Sequence, residues 1–125
     1  MELNAISGAI VDASMRVHSA LGPGLLESTY EGCLHFELLD RGLHARRQVK
    51  MPVVYRGHRI HVGYRIDLIV EELVIVEIKS VERFVPIHEA QLLTYLKLAD
   101  KRLGLLLNFN VLRMTDGIKR MVNNL

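Results

Sequence analysis

A nearly continuous apolar run from Leu103 to Phe109 constrains the fold more than any other feature of the sequence. A strand that is apolar at almost every position is typical of a parallel sheet with both faces covered. A second strand pattern, rich in Val and Ile, spans Leu73 to Ser80, and a helical pattern from about Ile87 to Asp100 lies between the two. Such a connection is a right-handed crossover between parallel strands. After the run, a turn at Asp116-Gly117 precedes a short final element.

The chain before these strands is predicted to contain two helices and two strands. Apolar residues recur at helical spacing from Leu3 to about Ala20, and a second helix runs from about Leu25 to Asp40, just before Gly42. Strands are predicted from Val49 to Tyr55 and from Arg59 to Val70. The element order is therefore ααβββαβ, with the first three strands in an antiparallel meander. We expect an α/β (mixed α+β) fold, a sheet of about four strands flanked by helices.

The length and composition are those of one globular domain. The chain has 125 residues, of which 50% are hydrophobic and 24% are charged, so residues 1–125 are expected to form a single domain with one core. The formal net charge is +2, so a nucleic-acid partner would need a local basic patch. The single cysteine, Cys33, excludes an intrachain disulfide and a cysteine-rich zinc site. No signal-like start or long apolar run is present, so we expect a cytoplasmic protein without membrane contact.

A charged pair ends the apolar strand that begins at Leu73. In Glu77-Ile78-Lys79 the alternation of a strand places the acid and the base on one face. Burying ionised groups in such apolar surroundings costs free energy unless the charges are paired or bind a ligand. Asp67 lies on the preceding strand, ten residues before Glu77.

The loop between these two strands decides whether the two acids meet. A two-residue turn at Glu71-Glu72 would place Asp67 opposite Val76, on the wrong face. A three-residue loop, or one bulge, would place Asp67 opposite Glu77. The sequence leaves both registers open.

If the two acids meet, the strand end has the chemistry of a metal site. Two carboxylates and the backbone carbonyl of Ile78 would suit Mg²⁺, which takes oxygen ligands and keeps several waters. Lys79 would orient or help to deprotonate an attacking water and would offset charge in a phosphorane-like transition state. A salt-bridged surface hairpin explains the same spacing, so the spacing by itself leaves both interpretations open.

Two helices carry further candidates. His88, Gln91 and Tyr95 share one face of the third helix and would approach the strand end, although the polar edge of an amphipathic helix has the same pattern. On the second helix, Glu27 and Tyr30 share a face, with Glu31 one turn beyond Glu27. Glu27 would be a third carboxylate, but an acid in a first turn is also favoured by the helix dipole.

At these residues the sequence resembles a known family. Gly24-x-x-Glu27-x-x-Tyr30 resembles the signature of the GxxExxY proteins, small domains placed in the PD-(D/E)XK nuclease superfamily. Asp67 followed by Glu77-x-Lys79 matches the metal and catalytic motif of that superfamily. Gln91-x-x-x-Tyr95 resembles the extra motif of its phage lambda exonuclease-like branch. The element order resembles the restriction-endonuclease-like core, and the similarity runs from about Leu3 to Val122.

The resemblance implies a set of roles. Asp67 and Glu77 would bind Mg²⁺ or Mn²⁺, in addition to the Ile78 carbonyl already considered, and Glu27 would correspond to the acid of the leading helix that binds or orients the metal. Lys79 would be the catalytic lysine, acting with Asp67 and Glu77, and the supporting catalytic residues would be Gln91 and Tyr95. The loop Glu71-Glu72-Leu73 departs from the expected glycine-containing hairpin.

Basic residues cluster between the second helix and the first strand, at Arg41, His44, Arg46, Arg47 and Lys50. Such groups suit phosphate contacts, which give affinity without sequence reading. An ordinary solvated face is the alternative, but beside the metal motif we favour a nucleic-acid surface. Its expected contacts are Arg46, Arg47, Lys50, Tyr30 and His88.

The sequence therefore predicts a Mg²⁺- or Mn²⁺-dependent nuclease that cleaves nucleic acid with a water that the ion activates. DNA is favoured over RNA as the substrate. The first alternative is a non-catalytic nucleic-acid-binding or assembly module that retains the nuclease fold, and a plain interaction domain is another. The intact Asp67, Glu77 and Lys79 favour the enzyme, since a degenerate nuclease commonly loses one of them. A short chain has little surface to grip a duplex, so a homodimer or a larger complex is also expected.

Overall fold

The computed structural model describes all residues from 1 to 125. It contains three α-helices, seven β-strands and one turn of 3₁₀-helix at Met114–Gly117. The helices are α1 (Leu3–Leu21), α2 (Glu27–Asp40) and α3 (Pro86–Ala99). The strands are β1 (Ala45–Lys50), β2 (Val53–Tyr55), β3 (His58–Ile60), β4 (Arg65–Val70), β5 (Val74–Lys79), β6 (Leu103–Asn108) and β7 (Ile118–Val122).

The main sheet has five strands in the order β1-β4-β5-β6-β7. Strands β5 and β6 are parallel and are connected through α3, whereas the other neighbours are antiparallel. The predicted mixed α/β fold, with helices flanking a mixed sheet, is confirmed, as is the parallel pairing across the third helix. This is the architecture of a restriction-endonuclease-like fold.

The strands before β4 differ from the prediction. The predicted strand from Val49 to Tyr55 is two strands, because Pro52, which has no backbone N–H to donate, stands at the break. Strands β2 and β3 pair only with each other, through a turn at Arg56-Gly57 whose φ angles are 50° and 81°. The meander of the main sheet is therefore β1-β4-β5, with the β2–β3 ribbon inserted between β1 and β4.

The short final element is a fifth strand of the main sheet. Strand β7 pairs antiparallel with β6, with Leu107 opposite Ile118 and Leu103 opposite Val122. The exposed Lys119-Arg120 pair in its centre interrupts the apolar pattern by which a strand is recognised.

The core has two parts, one on each face of the sheet. Helices α1 and α2 cover one face, where Ile10 and Leu34 pack in a cluster with Val76. Helix α3 covers the other face, where Leu92 packs in a cluster with Ile75. A Cβ at Gly104 would lie 3.0 Å from the Leu92 side chain, so α3 approaches β6 closely. None of the three helices has both the length and the apolar character needed to cross a bilayer.

Candidate active site

The loop between β4 and β5 has three residues, Glu71 to Leu73, because Val70 pairs with Val74. Leu68 pairs with Val76, and the same register places Asp67 opposite Glu77. This is the register that the longer loop predicts.

Two non-glycine residues of this loop adopt left-handed backbone conformations. The φ angles are 54° at Glu71 and 57° at Glu72, in a region where glycine is usually found. Two hydrogen bonds hold Glu71 there: its N–H donates to the carbonyl of His44 (2.8 Å), and its carboxylate accepts from the N–H of His44 (2.9 Å). The residue immediately before strand β1 thus fixes the loop that sets the register.

Reciprocal hydrogen bonds join the two strands at the acids. The backbone N–H of Asp67 donates to Oε2 of Glu77 at 2.8 Å, and the backbone N–H of Ile78 donates to Oδ2 of Asp67 at 2.8 Å. Beyond the Leu68–Val76 pair, the two carboxylates thus accept backbone N–H groups in place of the carbonyl oxygens of a regular antiparallel pair. Both carboxylates are fixed at the point where β4 and β5 separate.

Strand β4 changes face at Asp67. Ile66 packs in the cluster on the α3 side of the sheet, whereas Leu68 packs in the cluster beneath α1 and α2. Residues two apart in a regular strand share a face, so the strand is distorted between them. Gln48 lies opposite, on β1, with a φ of 50°. The distorted segment lies near side chains of both α2 and α3, namely Glu31 and Tyr95.

A third acid, Glu31 of α2, lies beside the pair. It is 6% exposed, and its carboxylate accepts hydrogen bonds from Gln48 Nε2 (2.6 Å) and Arg47 Nε (3.0 Å). Gln48 Nε2 also lies 3.3 Å from Oδ1 of Asp67, so one amide connects the two acids. Sequence reasoning assigned no role to Glu31 or Gln48. The spacing of Glu31 one turn after Glu27 was the available signal, whereas nothing marks Gln48.

Burial controls the ionisation of the central acids. Burial, and then the negative charge of Asp67, raises the pKa of Glu77 from 4.5 to about 8. Burial is also the main reason that the pKa of Asp67 is raised, and the charge of Glu31 adds to the effect. The positive charge of Lys79 acts in the opposite direction on both acids. A further cation between them would stabilise their ionised forms.

The donor set fits Mg²⁺ or Mn²⁺. No three His, Cys, Asp or Glu side chains are arranged to hold an ion together. Mg²⁺, however, is usually held by one or two carboxylates, with waters and substrate phosphates completing its shell. The hydrogen bond from Asp67 occupies one oxygen of Glu77 and leaves Oε1 without a protein donor. Two fixed carboxylates with raised pKa values are therefore a suitable partial site.

Lys79 and Tyr95 face the acids from two elements. Lys79 is half-buried at the end of β5 and forms no ion pair. Tyr95 of α3 is 7% exposed, and burial, followed by the charge of Glu77, raises its pKa. Its ring centroid lies 6.5 Å from that of Tyr64, which sequence reasoning missed. Gln91, one turn earlier, is half-buried and makes no hydrogen bond within the protein.

The predicted residues at the starts of α2 and α3 have local partners. Glu27 is exposed, and its Oε1 accepts from the N–H of Ser80 at 3.2 Å, one residue beyond Lys79. It forms no hydrogen bond with Asp67 or Glu77. His88 Nδ1 accepts from the N–H of Val85 at 3.2 Å and so caps α3.

Tyr30 is fully buried and has no surface with which to contact a nucleic acid. Its hydroxyl donates to the carbonyl of Gly22 at 2.6 Å and accepts from the N–H of Leu25 at 3.1 Å. Its ring stacks on Phe109 with centroids 4.6 Å apart. The expectation of a nucleic-acid contact is therefore corrected: Tyr30 fastens the α1–α2 turn to the core.

The basic residues of β1 differ in their freedom to bind phosphate. Arg46 forms a two-point ion pair with Glu72, at 2.7 and 2.8 Å. Arg47 is paired with Glu31. Lys50 is exposed and has no acidic partner, so of the three it keeps the freest charge.

Comparison with models of protein families matches residues 4–121 to the model of the PD-(D/E)XK nuclease superfamily. The matched region includes α2, α3, all of α1 except its first residue, and the strands that carry Asp67, Glu77 and Lys79. No match was found among curated proteins or among solved structures.

Proposed function

Because the chain belongs to the PD-(D/E)XK nuclease superfamily, we propose that it is a nuclease that hydrolyses phosphodiester bonds with a divalent metal ion, with DNA as a better substrate than RNA. The observation that carries the proposal is the joining of Asp67 and Glu77 by reciprocal hydrogen bonds, with Lys79 beside them. From its motifs, we also propose that the chain is one of the GxxExxY proteins, in the phage lambda exonuclease-like branch.

Asp67 and Glu77 would hold the ion, assisted by the carbonyl of Ile78 and, from α2, by Glu27. When bound, Mg²⁺ or Mn²⁺ would supply a Lewis acid that polarises the phosphoryl group and makes water more acidic. Binding would displace the proton that Glu77 holds at neutral pH in the free protein.

Lys79 would act on the reacting groups directly. Its ammonium lies near both carboxylates, where it would orient the attacking water and offset the negative charge that develops on the phosphoryl oxygens. The hydroxyl of Tyr95 is available as a donor, because tyrosine is protonated at neutral pH and burial raises its pKa further. We propose that Tyr95 and Gln91 position Lys79, a water or a phosphate.

A second candidate is a non-catalytic nucleic-acid-binding or assembly module with the same fold. One observation favours it: no three His, Cys, Asp or Glu side chains form a complete ion cage. The candidates differ in whether Lys79 is needed for a chemical step.

Cleavage by the Lys79→Ala variant tests the proposal. Plasmid DNA, single-stranded DNA and RNA would be incubated with wild type and variant in Mn²⁺ and in Mg²⁺. We expect the cleavage rate to fall by about 10²–10³-fold, the usual cost of losing one group that stabilises transition-state charge. The thermal unfolding temperature should change little, because Lys79 forms no ion pair.

The control is Lys97→Ala, which removes an exposed lysine from α3. It should cleave at the wild-type rate after the same purification. Equal cleavage by wild type and Lys79→Ala would show that the activity belongs to a contaminant. No metal-dependent cleavage by the wild type on any of the three substrates would favour the non-catalytic module.

A further inference from the structure

The segment between Asp40 and Asp67 contains no aspartate or glutamate. Part of it forms a groove of about 540 Å³ where the β2–β3 ribbon meets the ends of β1 and β4. The groove is lined by Lys50, Arg59, His61 and Arg65 among apolar residues, and none of its lining residues is acidic. Its chemistry is that of an anion site.

The charges that line this groove are not neutralised by the protein. Lys50, Arg59 and Arg65 form no ion pair. Arg46 and Arg47, by contrast, are bound to Glu72 and Glu31. The anion-binding capacity of the acid-free segment is therefore concentrated in the groove.

Two of these cations stand directly opposite each other. Lys50 on β1 pairs with Arg65 on β4. Like charges in directly opposed positions destabilise an antiparallel pair, and no acid nearby relieves the repulsion. An anion bound between them would remove this cost.

The groove adjoins the candidate active site. Lys50 and Arg65 each lie two residues along their strands from Gln48 and Asp67, which is about 7 Å at the rise of a β-strand. An anion in the groove would therefore lie beside a substrate phosphate bound to the ion that the two carboxylates would hold. A polymer with regularly spaced phosphates would occupy both.

The outer wall of the groove is a ribbon without other sheet partners. Strands β2 and β3 have three residues each and pair only with each other. Val54 and Tyr55 on this ribbon are exposed although they are large and apolar. A two-stranded ribbon by itself is only marginally stable, so contact with a bound partner would stabilise this one.

We propose that this groove binds the sugar–phosphate backbone of the substrate strand next to the bond that is cleaved. Lys50, Arg59 and Arg65 contact successive phosphates, and the β2–β3 ribbon lies along the strand. The inference rests on the proposed nuclease function and adds a substrate-binding site to it. Binding is independent of base sequence because the contacts are to phosphate.

The test is the salt dependence of nucleic-acid binding. Wild type and Arg59→Gln/Arg65→Gln would be titrated onto fluorescein-labelled single-stranded DNA of two scrambled sequences, in EDTA to prevent cleavage. Each phosphate contact on a single strand contributes about 0.7 to the slope of log K against log salt, or about fivefold in affinity at 0.1 M salt. The double variant should therefore have a slope lower by about 1.4, equally on both sequences.

Two variants make the comparison specific. Arg120→Gln removes an exposed arginine from β7, at the opposite edge of the sheet, and should keep the wild-type slope. Arg59→Lys preserves the charge and should restore most of the affinity that Arg59→Gln loses. In Mn²⁺, the double variant should have a raised KM and a kcat close to that of the wild type.

The outcomes separate this inference from the proposed function. If the wild type cleaves DNA and Lys79→Ala does not, but the double variant binds with the wild-type slope, the groove is not the binding site and the nuclease proposal stands. The same conclusion follows if Arg120→Gln lowers the slope as much as the double variant. If the wild type neither binds nor cleaves nucleic acid, both proposals fail.

Discussion

Glu77 combines an ionisable side chain with a position that belongs to the core. It is 5% exposed, and it lies on a strand whose other residues, from Val74 to Ile78, are buried and apolar. Its pKa of about 8 means that the free protein holds a proton there at neutral pH. An acid placed in this way costs stability when it ionises, which is the arrangement expected of a group whose charge is used in binding a cation.

The raised pKa of Glu77 predicts how stability depends on pH. Between about pH 4.5 and 8 the folded protein holds a proton that the unfolded chain releases, so the free energy of unfolding falls as pH rises through this window. The slope attributable to Glu77 is at most about 1.4 kcal/mol per pH unit. Urea unfolding in EDTA at several pH values should show this fall, and Glu77→Gln should remove it.

The difference between the wild type and Glu77→Gln isolates the contribution of this one residue to the pH dependence. Glu72→Gln is the matched control. The hydrogen bond with Arg46 lowers the pKa of Glu72, so the contribution of Glu72 to the free energy of unfolding is lost only as pH falls through the acid range. If the free energy of unfolding changed with pH in the same way in the wild type and in Glu77→Gln, Glu77 would have an unshifted pKa, which would contradict the prediction.

At the scale of elements, the site depends on the distortion of strands β1 and β4 and on the hydrogen-bonded turn between α1 and α2. The change of face at Asp67 and the positive φ of Gln48 place the central acids near Glu31 of α2 and Tyr95 of α3. The turn between α1 and α2 is fixed by Tyr30, whose hydroxyl bonds both sides of it. Helix α2 begins directly after this turn, so Tyr30 sets where Glu27 and Glu31 project.

Tyr30→Phe tests this structural role. The substitution leaves the carbonyl of Gly22 and the N–H of Leu25 without their partner, at an expected cost of about 1–3 kcal/mol in the free energy of unfolding. Urea unfolding measures the loss. Tyr55→Phe, which alters an exposed tyrosine without a hydrogen bond, should leave stability unchanged. Weaker DNA binding by Tyr30→Phe at unchanged stability would contradict the structural role.

Periodicity in the sequence was sufficient for the elements with a strong pattern. The three helices and the strand from Leu103 follow from the spacing of apolar residues, and the crossover rule gives the parallel pairing. The register at Asp67 did not follow, because it depends on Glu71 and Glu72 adopting a conformation usually reserved for glycine. The ion pairs of Arg46 with Glu72 and of Arg47 with Glu31 could not be predicted either, because only the tertiary structure brings these residues together.

On the scale of the whole molecule, a net charge of +2 conceals a separation of charge. Three acids, Glu31, Asp67 and Glu77, converge near the centre of the sheet, while the acid-free segment places free cations immediately beside them. In the proposed function, a divalent ion offsets the acids and the cations hold the substrate. We propose that the chain carries out both tasks as a single domain.

The dependence of cleavage on Mn²⁺ tests the central claim most directly. Single-turnover DNA cleavage would be measured against Mn²⁺ concentration for wild type, Asp67→Asn and the control Asp100→Asn, which alters an exposed acid whose left-handed conformation asparagine tolerates. The wild-type and control rates should rise from an EDTA background and saturate, whereas Asp67→Asn should stay near that background. Equal wild-type rates in EDTA and Mn²⁺, or a wild-type rate in Asp67→Asn, would contradict a metal-dependent nuclease centred on Asp67 and Glu77.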